Sequence, residues 1–281
     1  MAETSLISES LVDEDKIEKK LRVREYRYER EQRFLRKRSE LNEVLEEVFD
    51  KQTLMTLYEL MNRKLIKDFY GVVSAGKESR IYYAKGQKDE DLAVKIYLIT
   101  SAEFKKTRAM YTAYDPRFQR IPRDFRDFIY LWARREFKNL EAAYDAGVPV
   151  PKPYFVRRNV LGMAFIGEDG KRYPLLNEIT LETETYAKIY SQVIDAVKKL
   201  YRGANLIHGD LSEYNIFITP DDRIILIDLS QAVRVEQPVA DQLLLRDLKN
   251  ITRFFGKMGV EVSDPELLFE EITGRKPFEV S

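Results

Sequence analysis

Two short apolar runs in the second half of the chain each lead into a carboxylate, and this arrangement restricts what the chain can fold into. The run at 206–207 is followed by Asp210, and the run at 224–227 ends directly at Asp228. Asn215 lies five positions after Asp210. Because a carboxylate is seldom buried without a partner, we expect both strand ends to border one site. Carboxylate and amide oxygens suit Mg²⁺, although Asp and Asn are also frequent in ordinary turns.

The composition limits the chemistry that such a site can use. The chain has 281 residues, 47 basic and 47 acidic side chains, no cysteine and a single histidine, His208. These counts exclude a disulfide framework, a zinc–thiolate site and a cysteine nucleophile, and a Ser-His-Asp triad would need His208 as its base. No apolar run approaches the roughly 20 residues that span a bilayer, and the acidic N-terminus lacks the order of a signal peptide. We therefore expect a soluble, cytoplasmic protein with no membrane partner.

The spacing between Asp210 and Asn215 indicates phosphoryl transfer. Asp-x-x-x-x-Asn is the spacing of the protein-kinase catalytic loop, in which the aspartate is the base and the asparagine holds Mg²⁺. Lys95 lies inside an apolar run that nearly matches the Val-Ala-Ile-Lys pattern of a kinase strand. A lysine in the middle of a buried strand needs a partner. Glu136 on the following helix is the predicted partner, preferred to Glu141 because it adjoins an apolar helix face.

The segment 71–78 is the predicted phosphate-binding turn. It nearly matches the P-loop pattern Gly-x-x-x-x-Gly-Lys-[Ser/Thr], but Glu78 replaces the hydroxyl residue, and strand formers follow where a P-loop enters a helix. A P-loop fold is therefore excluded, and we expect a β-hairpin that covers the phosphates of a nucleotide. The predicted donors are the backbone amides of Ala75, Gly76 and Lys77 and the hydroxyls of Ser74 and Ser79.

Three segments together resemble the RIO atypical protein kinases, most closely the type-one subfamily in its compact archaeal form. They are Ser74-Ala-Gly-Lys-Glu-Ser79, the loop from Leu206 to Asn215, and Ile227-Asp-Leu-Ser-Gln231. Serine and glutamine after Asp228 are typical of the type-one subfamily, whereas the type-two subfamily carries proline and glutamine there. The resemblance covers residues 50–270 and includes the helix at 245–255.

The resemblance implies an α+β, bilobal protein-kinase-like fold, with an antiparallel sheet and a helix in the N-terminal lobe and a helical C-terminal lobe. It implies a serine/threonine kinase that uses ATP with Mg²⁺ or Mn²⁺, hydrolyses ATP and phosphorylates itself. The chain after Asp228 is too short for a long activation segment and a peptide-binding subdomain, so we expect little activity on free peptides. The resemblance also implies a role in small ribosomal subunit maturation, with rRNA and ribosomal proteins of the precursor particle as partners.

The site residues of the family carry over onto matching positions of this sequence. By the resemblance, Lys95 binds the α- and β-phosphates of ATP and pairs with Glu136. Asp210 is the catalytic aspartate, while Asn215 and Asp228 hold the metal ion. In this family the aspartate at the position of Asp228 can also accept the phosphoryl group, which gives an aspartyl phosphate and net ATP hydrolysis.

The resemblance also assigns the groups that surround the nucleotide. The inter-lobe hinge begins at Met163, and the backbone groups of Ala164 and Ile166 read the adenine. The phosphate loop consists of Ser74, Ala75, Gly76, Lys77, Glu78 and Ser79. The sequence departs from the family where Ala164 replaces a common glutamate, which leaves backbone hydrogen bonding intact. We expect His208 to pack below the catalytic loop and to hydrogen-bond the backbone near Asp228.

The sequence pattern divides the chain into three parts. Residues 1–50 form a charged helical extension, residues 51–166 the N-terminal lobe with a preceding helix, and residues 167–281 the helical C-terminal lobe. Apolar periodicity predicts helices over 54–66, 128–146, 181–201, 242–257 and 265–273. Hairpins are predicted over 69–84 and 154–166, a strand over 91–97, and a pair of short strands within 206–218 and 223–228. A connection marked by Gly and Pro is expected near 166–177.

Two charged segments have two interpretations each. Residues 16–38 carry eleven Lys or Arg against four Glu, which fits an arm that binds RNA phosphates or a solvated helix with i,i+4 ion pairs. The excursion at 100–128 is longer than a strand-to-helix turn needs. It is predicted to be either a flexible segment that covers the γ-phosphate or contacts RNA, or an ordinary surface insertion.

Two other functions use similar residues. Small-molecule phosphotransferases of the aminoglycoside or choline type share His-Gly-Asp-x-x-x-x-Asn, but the chain after Asp228 is too short for their acceptor pocket. A non-catalytic pseudokinase scaffold that binds pre-rRNA is the other alternative. The intact set of Lys95, Asp210, Asn215 and Asp228 argues against it. The sequence leaves the oligomeric state open.

Overall fold

The computed structural model describes residues 49–99, 111, 115, 117–118 and 121–277. The chain divides into two units, Met1–Met55 and Thr56–Ser281, and the candidate site lies in the second. Nearly all of the predicted extension at 1–50, including its basic segment at 16–38, lies outside the described residues, as does most of the excursion at 100–128. The boundaries predicted for the three parts of the chain stay predictions.

A five-stranded antiparallel sheet follows helix α1 (Lys51–Asn62) in the chain. Its strands are β1 (Asp68–Ala75), β2 (Ser79–Lys85), β3 (Asp91–Tyr97), β4 (Pro153–Arg157) and β5 (Val160–Ala164), in the spatial order β1-β2-β3-β5-β4. The central strand β3 is buried from Leu92 to Tyr97, as expected for an apolar strand with neighbours on both sides. Lys95 lies in β3 opposite Ile81 of β2 and Leu161 of β5. The predicted hairpins and the strand at 91–97 are therefore present.

Helix α2 (Phe125–Asp145) connects β3 to β4 and packs against β4. It begins at Phe125 rather than at residue 128, because Asp124 caps it: the carboxylate accepts the backbone N–H groups of Arg126 and Asp127 at 2.8 and 3.1 Å. Gly147 follows the helix with a φ of +72°, a conformation that suits a helix C-terminus. The buried polar residues of α2 are Arg135, Glu136 and Asn139.

A small hairpin follows β5, where the sequence pattern predicts only a connection marked by Gly and Pro. Its strands β6 (Gly167–Glu168) and β7 (Lys171–Arg172) pair antiparallel. Asp169 and Gly170 join them with φ values of +50° and +74°. Asp-Gly with two positive φ angles is the signature of a type I′ turn, so the signal for this hairpin was present in the sequence.

Helices α3 (Thr183–Arg202), α4 (Ala240–Lys257) and α5 (Pro265–Thr273) dominate the rest of the chain. Four short strands lie between α3 and α4: β8 (Leu206–Ile207), β9 (Ile216–Ile218), β10 (Ile224–Leu226) and β11 (Val233–Arg234). The predicted pair of short strands within 206–218 and 223–228 is present as β9 and β10. The start of the first range forms a separate strand, β8, which pairs with β11. Gly209 turns the chain after β8 with a φ of +76°.

One apolar core joins α2, α3, α4, α5 and the four short strands. Its large buried side chains include Phe128, Trp132, Phe255 and Phe269. Burial of such side chains is the main stabilising contribution, at about 1.5–3 kcal/mol for each one that is fully buried. Among the helices of the described residues, none is both long enough and apolar enough to cross a membrane.

Candidate active site

A cleft with a volume of about 300 Å³ separates the sheet from the strands and loops that follow α3, a size at the lower end for small-molecule sites. The predicted site residues that line it are Ser74, Gly76, Ser79, Lys95, Glu136, Met163, Ala164, Ile166, Asn215 and Asp228. The predicted residues that do not line it are Ala75, Lys77, Glu78 and Asp210. The fold thus brings most of the predicted site together, with contributions from both sides of the cleft.

Lys95 connects the sheet, helix α2 and the turn after β10. Its Nζ lies 2.8 Å from Glu136 Oε1 and 3.1 Å from Asp228 Oδ1, so the predicted ion pair with Glu136 is present. The Tyr97 hydroxyl donates to Glu136 Oε2. The Lys95 ammonium also lies 5.1 Å from the centroid of the Tyr97 ring, within the range of a cation–π interaction. The buried lysine therefore has two carboxylate partners.

Burial and charge act together on the pKa values of these three groups. Burial disfavours the charged form of Lys95, but the carboxylates of Asp228 and Glu136 outweigh it and raise the Lys95 pKa above its ordinary value. Burial raises the pKa of Glu136, and Lys95 offsets only part of that rise. Burial acts in the same direction on Asp228, but Lys95 and the Ser230 N–H hold the Asp228 pKa well below its usual range. Lys95 and Asp228 are therefore both charged at neutral pH.

The predicted phosphate-binding turn joins β1 to β2. Ser74, Gly76 and Ser79 line the cleft as predicted. The Gly76 N–H donates to the Ser79 carbonyl at 2.9 Å, so this predicted phosphate donor closes the hairpin instead of pointing at a ligand. The Gly76 amide would have to break that bond to serve a phosphate. The hydroxyls of Ser74 and Ser79 are the better placed of the predicted donors.

At the predicted hinge, some backbone groups already have hydrogen-bond partners within the protein. The Ala164 N–H donates to the Lys152 carbonyl at 2.8 Å, and the Ile166 carbonyl accepts the Tyr173 N–H at 3.0 Å. The backbone carbonyl of Ala164 and the backbone N–H of Ile166 therefore remain available to a ligand. One acceptor and one donor, two residues apart at the edge of the cleft, complement the amino group and the ring nitrogen of adenine.

The loop after β8 is held by a close backbone approach. A Cβ atom on Gly209 would lie 2.8 Å from the Gln231 carbonyl oxygen, and the φ of +76° at Gly209 disfavours any other residue as well. These two constraints explain why glycine precedes Asp210. The loop that carries Asp210 and the turn that carries Asp228 are therefore in direct backbone contact.

His208 and Asp228 lie on these two loops. Burial lowers the pKa of His208, so its neutral ring donates from Nε2 to the Ile227 carbonyl at 3.0 Å, which is the backbone contact predicted for this residue. Asp228 adopts φ 60° and ψ 64°, and its Oδ1 accepts the Ser230 N–H at 3.3 Å. Asp is one of the few residues besides Gly that adopt this left-handed conformation. The conformation sets the direction of the Asp228 carboxylate, and it still costs some backbone energy because Asp has a Cβ atom.

Asp247 on α4 is a site residue that the sequence pattern did not identify. It is 1% exposed, and its two carboxylate oxygens accept the N–H groups of Gly209 at 2.7 Å and Leu211 at 3.0 Å. Asp247 thereby fixes the loop after β8 in place. Burial raises the pKa of the Asp247 carboxyl to about 7. The available signal was a lone carboxylate on the apolar face of α4, between Leu244 and Ile251.

Asp210 is exposed and is held by two amide side chains. Asn215 Nδ2 donates to the Asp210 backbone carbonyl at 2.8 Å, and Gln231 Nε2 donates to Asp210 Oδ2 at 3.0 Å. The backbone carbonyl of Asn215 in turn accepts the Ile227 N–H at 3.0 Å. These bonds tie the loop of Asp210 to the turn of Asp228, so the two predicted catalytic aspartates have a fixed relative position.

Asn215 and Asp228 are the predicted metal ligands, and their donor atoms fit a cation. Because Asn215 Nδ2 is engaged with a carbonyl, Oδ1 is the end of the amide able to bind a metal ion. The ionised Asp228 carboxylate lines the same cleft. In the described residues no group of three or more His, Cys, Asp or Glu forms a cation site. Two oxygen ligands fit Mg²⁺, which keeps several waters and takes further ligands from substrate phosphates.

The antiparallel sheet, the buried Lys95–Glu136 pair and the two loops at the cleft define the protein-kinase class. The family model for the RIO domain, RIO1, matches residues 80–268. The RIO-type serine/threonine-protein kinase Rio1 of Haloferax volcanii is 42% identical over 231 residues, which cover 82% of this chain and 78% of that protein. Rio1 of Methanocaldococcus jannaschii is 39% identical over 249 residues, which cover 88% of this chain and 82% of that protein.

A solved structure with the same fold is the Rio2 kinase of Chaetomium thermophilum, described as an ADP/Mg²⁺-phosphoaspartate complex. It superimposes with a TM-score of 0.62 at 22% identity, over 81% of this chain and 67% of that chain. Another structure of the same Rio2 kinase gives a TM-score of 0.59 at 22% identity, over 79% of this chain and 67% of that chain. These likenesses confirm the predicted α+β, bilobal protein-kinase-like fold.

The chain belongs to the RIO family of serine/threonine protein kinases, in its Rio1 branch. The resemblance inferred from three sequence segments is therefore confirmed. Membership in this family makes the chain a protein kinase and argues against the alternatives of a small-molecule phosphotransferase and a pseudokinase scaffold.

Proposed function

We propose that this chain transfers the γ-phosphoryl group of ATP in the cleft, with Mg²⁺ or Mn²⁺ as the cofactor. The observation that carries the proposal is the position of Lys95. Its ammonium contacts Glu136 at 2.8 Å and Asp228 at 3.1 Å on the wall of a cleft that Asn215 also lines. An ammonium in this position can exchange its contact with Asp228 for the α- and β-phosphate oxygens of ATP while Glu136 keeps it in place.

The nucleotide is proposed to lie with its adenine at the hinge and its phosphates at Lys95. The Ala164 carbonyl and the Ile166 N–H supply the two hydrogen bonds to adenine. Apolar side chains on the cleft wall, Ile81 and Ile227 among them, cover the faces of the ring. The phosphate loop at 74–79 covers the triphosphate, with the serine hydroxyls as its donors.

In the transfer step, the Asp210 carboxylate accepts the proton of the acceptor hydroxyl while Gln231 holds one of its oxygens at 3.0 Å. Asn215 and Asp228 would hold the cation. Bound Mg²⁺ supplies neutralisation of the charge that develops on the β- and γ-phosphate oxygens. Lys95 neutralises charge on the remaining phosphate oxygens, so the contribution of the protein is mainly positioning and electrostatics.

The Asp228 carboxylate is proposed as a second acceptor. One of its oxygens attacks the γ-phosphorus, the bond from that phosphorus to the β–γ bridging oxygen breaks, and ADP leaves. Water then hydrolyses the aspartyl phosphate to inorganic phosphate and free Asp228, so the net reaction is ATP hydrolysis. The low pKa of Asp228 keeps its carboxylate ionised, so an oxygen lone pair is available for the attack. The phosphoaspartate for which the solved Rio2 complex is named supports this step by analogy.

The proposed setting is the maturation of the small ribosomal subunit in the cytoplasm, with rRNA and ribosomal proteins of the precursor particle as partners. The family resemblance supports this setting. The eleven basic side chains at 16–38 also suit rRNA phosphates, because cationic side chains release the counterions of a nucleic acid backbone.

The test is to incubate the wild type, Asp228→Asn and Asp210→Asn with γ-labelled ATP and Mg²⁺, with and without small ribosomal subunit precursors. We expect Asp228→Asn to lose both phosphate release and the hydroxylamine-labile label that marks an acyl phosphate. Asp210→Asn should lose the acid-stable label on Ser or Thr while retaining nucleotide binding. Precursor particles should accelerate phosphate release by the wild type.

The matched control for these variants is Asp222→Asn. Asp222 also has a left-handed backbone, with φ 56°, but it lies in the exposed turn between β9 and β10 and does not line the cleft. Its substitution should leave turnover unchanged. An Asp228→Asn protein that releases phosphate at the rate of the wild type would refute the proposed function, and an effect of Asp222→Asn as large as that of Asp228→Asn would refute the assignment to Asp228.

A further inference from the structure

Four polar side chains behind the cleft have no part in the reaction described above. Arg135 and Asn139 lie one turn apart on α2, and both are 0% exposed. Asp115 and Arg117 come from the segment that precedes α2 in the chain, and the Asp115 side chain is fully buried. These four residues are called the positioning cluster below. Buried polar side chains need a reason to be there, because burial without hydrogen bonds is costly.

Arg135 binds the short 3₁₀ turn Leu229–Gln231, which directly follows Asp228. Its Nη1 donates to the Ser230 carbonyl at 2.6 Å, and its Nη2 donates to the Ala232 carbonyl. A helix of one turn leaves its last carbonyls without internal partners. A guanidinium satisfies two of them at once with charge-assisted bonds in fixed geometry.

Asn139 binds the same turn from the next helical turn of α2. Its Nδ2 donates to the Leu229 carbonyl at 3.0 Å and to the Ala232 carbonyl at 3.1 Å. Its Oδ1 accepts Nη2 of Arg117 at 2.7 Å, and this bond fixes which end of the amide faces the turn. Arg117 therefore sets the orientation of Asn139.

Asp115 supplies the counter-charge for the cluster. Its carboxylate accepts two bonds from the Arg117 guanidinium, at 2.9 and 2.7 Å, and lies 3.5 Å from Nε of Arg135. Burial lowers the pKa of Arg135 to about 10, so Arg135 is still cationic at neutral pH and needs a nearby anion. The cluster thus forms one connected network from Asp115 to the backbone at 229–232.

We propose that the positioning cluster sets the geometry of Asp228 for catalysis, acting through the turn and without touching the nucleotide. Asp228 has a left-handed backbone, and its carboxylate is bonded to the Ser230 N–H, so a shift of the turn moves the carboxylate. Helix α2 also carries Glu136, which holds Lys95. One helix therefore fixes both sides of the Lys95–Asp228 contact. The inference rests on the proposed function, in which Asp228 acts on the phosphoryl group.

The main test variant is Arg117→Gln. Arg117 is partly exposed, at 23% for its side chain, and its loss leaves Asp115 to pair with Arg135. We expect the kcat of Mg²⁺-dependent ATP turnover to fall about tenfold and the half-saturating Mg²⁺ concentration to rise, as for other residues that orient a metal ligand. The KM for ATP should stay near that of the wild type, because the hinge and Lys95 are untouched. Asn139→Leu, which removes the two bonds from Nδ2 to the turn and the bond that Oδ1 accepts from Arg117, should have the larger effect.

The matched control is Lys138→Gln. Lys138 lies on the solvent face of the same helix, where it pairs with Glu141 at 2.7 Å and makes no contact with the turn. It should leave kcat and the Mg²⁺ dependence unchanged. Arg117→Lys keeps the charge without the guanidinium fork and should recover only part of the loss. If Arg117→Gln does not fold, Arg117→Lys becomes the deciding variant in its place.

A second readout needs no catalytic activity. Amide hydrogen exchange at Ser230 and Ala232, in protein free of nucleotide and metal, should be faster in Arg117→Gln than in the wild type and unchanged in Lys138→Gln. Faster exchange with an unchanged kcat would overturn the inference, because the cluster would then be structural only. Unchanged exchange in folded Arg117→Gln would overturn it as well. A wild type without Mg²⁺-dependent turnover would instead refute the proposed function, while exchange would still decide whether the cluster holds the turn.

Discussion

Lys95 and Asp228 are 133 residues apart in the chain, and their Nζ and Oδ1 atoms lie 3.1 Å apart. Lys95 comes from the central strand of the sheet, whereas Asp228 comes from the turn after β10, so this contact joins the two sides of the cleft. Glu136 holds the same ammonium from α2 at 2.8 Å. Loss of the Lys95 charge would therefore leave two carboxylates without their common partner.

Replacing Lys95 by Met should remove activity while preserving the fold. Met keeps much of the apolar length of lysine, but Glu136 loses its buried partner and its pKa, which burial already raises, should rise further. We expect phosphoryl transfer to fall about a hundredfold or more, as for loss of one charge-stabilising group. Labelled-ATP turnover measures this loss, and circular dichroism establishes that the variant folds.

Lys85→Met is the matched control for that variant. Lys85 lies in the neighbouring strand β2, pairs with Asp91 at 2.5 Å and does not line the cleft. Its substitution should leave turnover close to that of the wild type. Wild-type turnover by a folded Lys95→Met protein would contradict the role given to Lys95.

Local sequence signals were sufficient for the charged and amide residues of the candidate site. Lys95 is conspicuous because a charged residue interrupts a buried strand, and Asp210 and Asn215 are marked by their fixed spacing. Each of these signals is confined to a short stretch of the chain. They predicted the sheet around Lys95, its pairing with Glu136 and the family of the chain.

Residues whose role depends on distant packing were not predictable in the same way. Asp247 binds backbone groups that lie 36 and 38 residues earlier in the chain, and no local pattern reports such a contact. Arg135 likewise binds carbonyls more than ninety positions away. The N–H of Gly76 was assigned to a phosphate because sequence alone does not show that the Ser79 carbonyl already accepts it.

His208→Phe should reduce activity without abolishing nucleotide binding. Phe fills the buried volume, but the Ile227 carbonyl loses its bond to Nε2, which costs about 1–3 kcal/mol for an unsatisfied buried group. Burial lowers the pKa of His208 in the folded state, so its contribution to stability is present above the unfolded pKa of about 6.5 and is lost as pH falls through and below that value. Urea unfolding at several pH values should show that acidification lowers the unfolding free energy of His208→Phe less than that of the wild type.

Nucleotide titration supplies the deciding measurement for His208→Phe. The dissociation constant for ATP should stay within a fewfold of that of the wild type, because His208 does not line the cleft. A folded variant that no longer binds ATP would show that His208 has a direct role at the nucleotide.

Gly209→Ala should be far more damaging than Gly147→Ala, although both glycines have positive φ angles of +76° and +72°. The left-handed backbone costs alanine about 1–2 kcal/mol at either site. Only at Gly209 does the new Cβ meet a backbone atom, the Gln231 carbonyl oxygen at 2.8 Å, whereas nothing lies within 4 Å at Gly147. We expect a large loss of kcat for Gly209→Ala and a modest loss of stability alone for Gly147→Ala, measured by ATP turnover and urea unfolding. Equal losses of kcat would show that the contact between the two loops is unimportant.

Asp247→Asn should change how stability depends on pH. Burial raises the pKa of Asp247 to about 7 in the folded protein, against about 3.9 for an unfolded chain. The folded state therefore binds more protons between these values, and the contribution of Asp247 to stability falls as pH rises, by about 1.4 kcal/mol per pH unit at most. Asparagine does not titrate, so the variant lacks this pH dependence. The difference in unfolding free energy between wild type and variant should therefore shrink steadily from about pH 4 to about pH 7.

Activity and a matched substitution on the same helix complete this test. Asparagine offers one oxygen where the carboxylate accepts the N–H groups of both Gly209 and Leu211, so kcat at pH 8 should fall as the loop of Asp210 loosens. Asp241→Asn breaks the ion pair with Arg275 at the start of α4 and touches neither loop; it should leave kcat unchanged. A stability difference between wild type and Asp247→Asn that is constant from pH 4 to pH 8 would mean that Asp247 is ionised throughout, because its two backbone N–H bonds then outweigh the cost of burial.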